Sequence, residues 1–317
     1  MDPFIDRLEQ GIARRGTPVV VGIDPHLPML PENILPASSA QAVPGSAEWD
    51  IRRLALALQS FCRGVLDVVS GLVAAVKFQL AFFEQIGPAG VSVLADLVQA
   101  AHRGGLLVIL DGKRGDIGST ALAYAQGMLG SGDASPWGGD ALTVNPYLGD
   151  DALEPFVQTA RERHAGIFVL VKTSNPGGRL FQDLEADGRP IYRHVAALVE
   201  DLASRNLGKC GYGNIGGVVG ATYRDQLAEL REAMPHTWLL VPGYGSQGAR
   251  AADVAPAFDA RGRGAIINNS RALIFAYRRR EYDRFGAARW QEAIEAATRD
   301  MIAEIRAETP AGRIAPE

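Results

Sequence analysis

Leu106-Leu107-Val108-Ile109-Leu110-Asp111-Gly112-Lys113-Arg114-Gly115-Asp116-Ile117-Gly118-Ser119-Thr120 is the stretch that decides how this chain is read. Its apolar opening predicts a buried strand over 106–110. The strand stops on charges, opens into a Gly-containing loop and passes into a helical pattern. Lys113 stands two positions after Asp111 and three before Asp116. Charges at a strand's end are a poor way to build a core. They are well suited to holding an ammonium between two carboxylates in a pocket. Opposite charges nearby favour the charged form of a Lys. Such a cation can sit beside a developing negative charge and can donate a proton. The bland alternative is a surface ion-pair cluster at a helix start.

Working outward, the same strand-loop-helix unit recurs. Apolar runs predict strands at 19–23, 73–78, 106–110, 141–144, 167–171, 217–219, 238–241 and 265–267. Amphipathic segments lie between them, at 52–70, 89–103, 118–130, 151–163, 191–206, 223–233, 247–258 and 271–279. Strictly alternating strands and helices in this number predict an α/β protein, a single closed parallel (β/α)8 TIM barrel. A doubly wound open sheet usually has fewer strands, and no G-x-G-x-x-G follows the first strand here. No linker divides the chain, so 1–317 is expected to be one domain. Segment 28–48, rich in Pro, Ser and Ala, is a long N-terminal loop before the first barrel helix, a lid or an excursion. Segment 287–308 predicts an external C-terminal helix, and 309–317 a frayed tail.

Length and composition fit this frame. Barrels of this kind run about 250 residues as one domain, and the chain has 317, with 47% hydrophobic and 21% charged residues. The net charge of −4 and the lack of a basic block give no footprint for nucleic acid. Arg278-Arg279-Arg280 runs straight into Glu281 and reads as a solvated helix end. Cys62 and Cys210 are far apart in sequence and read as reduced thiols of a cytoplasmic protein. The first residues have no apolar targeting core, and no run of about 20 apolar residues predicts a membrane span.

In such a barrel the reactive groups gather at the carboxyl ends of the strands. The polar residues of this chain fall there: Asp24, Lys77, Asp111, Asn145, Lys172 with Ser174, Pro242-Gly243, and Asn268-Asn269-Ser270-Arg271. Each alone has a structural explanation. Asp24 could cap a turn, Lys77 could snorkel, and Asn145 could start a turn before Pro146. Together they imply a polar pocket, because burying charges costs several kcal/mol unless they are paired or solvated. The loops after the last two strands, Val241-Pro242-Gly243-Tyr244-Gly245-Ser246-Gln247-Gly248 and Asn269-Ser270-Arg271, suit a phosphate. Glycines let the backbone approach an anion, and Arg271 adds a bidentate fork.

The Asp-x-Lys-x-x-Asp spacing resembles that of the orotidine 5′-monophosphate decarboxylase superfamily. Ile117-Gly118-Ser119-Thr120 looks like the longer bacterial subtype of the decarboxylase family. The similarity runs in order from Asp24 to Arg271. It implies that Asp24 and Lys77 contact ribose and that Asp111, Lys113, Asp116 and Lys77 form a charged network. It further implies a homodimer in which Asp116, Ile117 and Thr120 reach the neighbouring subunit's site. Ser174 would read the pyrimidine, Pro242 and Gln247 would close over base and phosphate, and Arg271 with the Ser270 N–H would grip phosphate. Asn145 joins the substrate-binding set from its place at the fourth strand's end. The implied activity is a carboxy-lyase of pyrimidine (UMP) biosynthesis. It needs no metal or cofactor and touches neither nucleic acid nor membrane.

Two positions depart from the family pattern. Gly112 stands where a side chain is more usual, which loosens the loop. Ser270 stands where a Gly commonly precedes the phosphate Arg, which bears on the phosphate geometry. The chemistry asks for a fixed cation. Loss of carbon dioxide from C6 leaves an electron pair in an sp² orbital with no adjacent π-system to spread it. Lys113 can stabilise that charge and then protonate the carbon. Two other readings use the same residues. A Mg²⁺-dependent sugar-phosphate decarboxylase or synthase of the superfamily shares the charged motif, and a non-catalytic nucleotide-binding barrel would use the pocket alone.

Overall fold

A computed structural model of the chain describes residues 1–36, 39, 46, 50–130, 134–245 and 248–314. The strands are β1 Val19–Ile23, β2 Ala75–Gln79, β3 Leu107–Arg114, β4 Ala141–Val144, β5 Gly166–Lys172, β6 Glu185–Ala186, β7 Arg189–Pro190, β8 Ile215–Val219, β9 Leu239–Val241 and β10 Ala265–Asn269. All but β6 and β7 close into a parallel barrel in the order β1-β10-β9-β8-β5-β4-β3-β2. The α-helices are α1 Phe4–Arg15, α2 Ile51–Val69, α3 Ala81–Glu84, α4 Gly87–Arg103, α5 Gly118–Met128 and α6 Asp150–Glu162. They continue with α7 Arg179–Gln182, α8 Ile191–Ser204, α9 Arg224–Ala233, α10 Ala251–Val254, α11 Arg271–Ile274 and α12 Trp290–Glu308. The expected TIM barrel is therefore present. Its strands are covered on both faces, which is why they read as largely apolar runs. Val108, Ile109 and Leu110 of β3, for example, are wholly buried.

Helix positions follow the expectation with two local differences. The segments expected as helices at 247–258 and 271–279 each give one short α-turn followed by a 3-10 turn, Ala255–Ala257 and Ala276–Arg278. Pro256 is the middle residue of the first of these 3-10 turns; it lacks the N–H that a continuing α-helix would use. No helix among the described residues is long and apolar enough to cross a membrane.

Helix α1, the short α3 and α7 and the β6–β7 hairpin, which is inserted between β5 and α8, were not anticipated. Helix α1 seals the amino end of the barrel. Phe4, Ile5, Leu8 and Ile12 form its buried face. The Phe4 ring meets Phe168 edge-on at 6.1 Å. It fills the space above Gly166, where a Cβ would come within 2.3 Å of it. The Ile5 N–H donates to Asn214 Oδ1 at 3.0 Å. The Asp6 carboxylate accepts from the N–H groups of Lys209 and Cys210 at 3.0 and 2.9 Å. Arg7 pairs with buried Asp140 at 2.5 Å, and Asp140 also takes His102 Nε2 at 3.0 Å and the Val108 N–H at 2.9 Å. Burial works against the Asp140 charge, but the His102 hydrogen bond and the Arg7 guanidinium outweigh it and hold the carboxyl below its ordinary value.

Helix α12 lies against α2, with Trp290 packed 5.1 Å from the Phe61 ring. Gly64 makes room, since a Cβ there would come 2.5 Å from Trp290. The tail expected to fray from residue 309 is fixed in its described part. Thr309 caps a 3-10 helix over Pro310–Arg313, and Ala311 is fully buried. Burial of the short side chain and the cap's hydrogen bond offset the loss of chain entropy that would otherwise free it. The start of the 28–48 excursion is pinned as well. Met29 O accepts from Tyr277 Oη, and from Arg278 Nε at 3.0 Å, and Leu30 and Leu35 are buried. Apart from Ser39 and Ser46, residues 37–48 lie outside the described residues.

Candidate active site

At the carboxyl end, strand termini and loops surround a cavity of about 440 Å³. Its charged floor comes from β2, β3 and β4. Asp111 receives Lys77 Nζ on one carboxylate oxygen and Lys113 Nζ on the other, both at 2.6 Å. A neutral donor joins each oxygen: Gln79 Nε2 at 3.2 Å beside Lys77 and Thr143 Oγ1 at 2.9 Å beside Lys113. Burial disfavours the Asp111 charge, but the two ammonium groups and their hydrogen bonds dominate and push its pKa far down. Lys77 is buried too; desolvation works against its charge, and Asp111 with Asp24 overcomes that and raises its pKa. Lys113 differs, for 46% of its side chain is exposed. It is thus anchored at one face and open at the other.

Strand β3 continues past Asp111 to Arg114, further than the apolar run indicated. The extension contains a bulge. Leu110 pairs with Leu142 and Arg114 with Val144, so residues 111–113 face Thr143 alone. Lys113 within it has φ +47°, a left-handed conformation that non-Gly residues adopt at a cost of roughly 1–2 kcal/mol. Gly112 does not leave a gap. A Cβ there would lie 3.0 Å from Leu80 Cδ2 and 3.3 Å from Arg114 Cζ. The Arg114 side chain covers the position, donating to Gly112 O at 3.0 Å and pairing with Glu84.

Asp24, Asn268 and Asn269 line the adjoining wall, at the ends of β1 and β10. The Oδ1 atom of each is buried without a hydrogen-bond partner. Buried acceptors of this kind are rare in folded proteins, and three on one wall suit a ligand that brings hydroxyl donors. At the rim, Gly243 and Gly245 hold φ values of +104° and +72°, open to glycine at no steric cost. Arg271, exposed, begins α11. Ser270 keeps its side chain inside the barrel because Gly22 on β1 faces it: a Cβ on Gly22 would be 1.9 Å from Ser270 Oγ. The hydroxyl also accepts from Asn268 Nδ2 at 3.5 Å. The unusual Ser is thus matched by a missing side chain on the neighbouring strand.

The anticipated residues divide into two groups. Asp24, Lys77, Asp111, Lys113, Ser174, Pro242, Ser270 and Arg271 share the cavity. Asn145, Asp116, Ile117 and Thr120 are outside the lining. Asn145 instead accepts from the Tyr147 N–H at 3.0 Å, closing a turn. Asp116 accepts from its neighbour Ile117 N–H at 2.8 Å and does not pair with Lys113, so among the described residues of one chain the ammonium has one acidic partner rather than two. Ile117 is 61% exposed, with Leu122 at 38%, Tyr147 at 82% and Leu148 at 49%. Gln247 lies outside the described residues.

Lys172, expected at the pocket, is buried behind the wall. It pairs with Asp183 and sits 5.2 Å from the rings of both Tyr192 and Tyr223. A register irregularity between Leu170 and Lys172 turns it out of the barrel interior. There it moors the loop after β5. Gln79 and Thr143, which also line the cavity, carried too little signal alone, whereas Asn268 and Asn269 lie where the polar end of the last strand placed them. Gln79 could have been found, since it lies two positions beyond Lys77 and so on the same strand face.

A closed (β/α)8 barrel whose carboxyl-end cavity joins a Lys–Asp–Lys cluster to a cationic glycine-rich rim defines an enzyme for a phosphorylated substrate. Comparison with known proteins narrows the class. The model of the orotidine 5′-phosphate decarboxylase / HUMPS family matches residues 19–284, and the chain belongs to this family. It is 50% identical over 309 residues to an orotidine 5′-phosphate decarboxylase of Rhodopirellula baltica, covering 96% of this chain and 100% of the relative. With the enzyme of the same name from Streptomyces coelicolor it shares 42% identity over 276 residues, covering 86% and 90%. The structure of Leishmania donovani OMP decarboxylase superposes with a TM-score of 0.72 at 31% identity, covering 96% of this chain and 98% of that one.

Proposed function

We propose that the chain decarboxylates orotidine 5′-monophosphate to uridine 5′-monophosphate and carbon dioxide, a carboxy-lyase step of pyrimidine biosynthesis. The observation that carries the proposal is the Asp111 carboxylate. It fixes Lys113 and Lys77, with a neutral donor on each oxygen, in a cavity that also offers unpaired acceptors and an Arg rim. The kinship with enzymes of that name supports the same reading.

In this mechanism Arg271 and the glycine-rich loop after β9 hold phosphate. Asp24 and Lys77 take the ribose hydroxyls, Ser174 reads the pyrimidine, and Pro242 closes over the base. The C6 carboxylate faces Lys113. As the carbon–carbon bond breaks, the electron pair stays on C6 and the Lys113 ammonium lies beside it. Being anchored on Asp111, the charge needs no reorganisation as the anion forms. Lys113 then gives its proton to C6. Binding energy from the phosphate, remote from the reacting bond, contributes to the rate by holding the ring in place.

A homodimer completes the site. Asp116, half-buried, and exposed Ile117 and Thr120 are outside their own cavity, as are exposed Leu122, Tyr147 and Leu148. An apolar patch of this kind suits a partner surface, and a second subunit would bring Asp116 to the far side of Lys113. The protein is read as cytoplasmic, and the whole chain as one barrel domain. The test is incubation of the purified protein with orotidine 5′-monophosphate and a chelator, following the ultraviolet change and the product nucleotide. Turnover that survives the chelator supports the proposal. Turnover lost to the chelator and restored by Mg²⁺ points to the metal-dependent relatives, and binding without turnover to a sensor.

A further inference from the structure

The bulge that carries Lys113 is stitched by a single hydroxyl. Residues 111–113 of β3 face one residue of β4, Thr143, and the regular ladder cannot satisfy them there. Thr143 Oγ1 fills the gap twice over. It accepts from the Lys113 N–H at 2.9 Å and donates to Asp111 Oδ1, also at 2.9 Å. That same Oδ1 takes the Lys113 ammonium. Backbone N–H, hydroxyl, carboxylate and ammonium thus form a closed ring through one residue's main chain and side chain. Thr143 is itself buried, at 1% exposure, so water has little access to replace it. A hydroxyl donates and accepts at once. A Val would fill the same volume and do neither.

We infer that Thr143 is a positioning residue for the proposed decarboxylation, holding Lys113 in its left-handed bulge and aiming its ammonium at the reacting carbon. This rests on the decarboxylase reading above. Thr143 makes no bond to the transferred proton. It fixes the backbone from which Lys113 reaches and the carboxylate oxygen against which it rests. Without it, Lys113 can leave a backbone conformation that costs energy, and the ammonium drifts from C6. Displacements of about 1 Å at such a site cost up to about a hundredfold in rate.

The test compares Thr143→Val and Thr143→Ser with the parent enzyme for kcat, KM and Tm. In the Val variant kcat is expected to fall roughly tenfold to a hundredfold while KM holds, because phosphate and ribose contacts lie elsewhere. In the Ser variant, which keeps the hydroxyl, kcat returns to near the parental value. A merely structural role would lower Tm in both variants and leave kcat per folded molecule untouched. Three outcomes overturn the inference: a Val variant within about twofold of parental kcat, a loss confined to KM, or a Ser variant as slow as Val. Should the Val chain fail to fold, Thr143→Ala replaces it in the same comparison. If the parent enzyme itself does not turn over orotidine 5′-monophosphate, the decarboxylase reading fails rather than this one.

Discussion

Replacing Asp111 with Asn tests the cluster where its physics is most exposed. The change keeps size and shape and removes one charge. All four of the side chains that meet the carboxylate are donors: Lys77, Gln79, Lys113 and Thr143. An amide offers one oxygen, so its NH₂ must face donors whichever way it is turned. Lys77 suffers most, because its side chain is only 5% exposed and it loses its bonded counter-charge. Breaking a buried ion pair by removing one partner costs about 3–5 kcal/mol. At about 2–3 °C per kcal/mol for a chain of this length, Tm is expected to fall by roughly 6–15 °C. The pH dependence fixes the cause. Asp111 has a depressed pKa in the folded state, so its contribution is complete above the unfolded value of about 3.9 and is lost as pH falls below it. The Tm gap between parent and Asn variant should therefore be level from about pH 8 down to about pH 5 and narrow below about pH 4. Calorimetry across that range, with decarboxylation assayed in parallel at neutral pH, measures both quantities. A variant within about 2 °C of the parent at pH 7, or one that still turns over normally, would refute the view that this carboxylate holds the cations in place.

Other outcomes follow from the same geometry. Lys113→Ala should lower kcat by at least about a thousandfold while uridine 5′-monophosphate still binds by titration calorimetry, since the rim is untouched; near-normal turnover would remove its assigned role. Equal mixtures of Lys113→Ala and Asp116→Ala chains, after subunit exchange, should regain about a quarter of parental sites if Asp116 acts across the interface; verified mixed dimers without activity would exclude sharing. Gly22→Ala should cost about 1–3 kcal/mol by overpacking against Ser270, and adding Ser270→Gly should recover much of it; equal chemical denaturation midpoints for the single and double variants would show that the two positions do not interact.

Most of the barrel was legible because each strand contains a short apolar run, and most of these runs end at or near a polar residue. That pattern located all of the barrel strands and placed Asp24, Lys77, Asp111, Ser174 and Arg271 at one end of the molecule. What escaped depends on register. Thr143 is an ordinary strand former, and only the pairing shift of β3 against β4 sets it opposite Lys113. Lys172 and Asn145 show the reverse error. A place at a strand's end puts a residue near the mouth but does not say which way its side chain turns, and a pairing irregularity and an Asn-Pro turn sent these two elsewhere. Helix α1 was readable in principle. Phe4, Ile5, Leu8 and Ile12 fall on one helical face, but a twelve-residue amphipathic segment outside the βα alternation has no place in the pattern that identified the rest.

The amino-terminal helix has a bearing on what this scaffold can tolerate. Phe4 and the bonds of Asp6, Arg7 and Asp140 hold the barrel shut at the end remote from the cavity. Mechanical integrity and reactivity are thereby assigned to opposite poles of one cylinder, with layers of filled apolar interior between them. Lining positions such as Ser174 or Pro242 can be exchanged in search of altered base selectivity without loosening that seal. A lesion at Arg7 or Asp140 would instead weaken the whole cylinder while leaving every reactive group chemically intact.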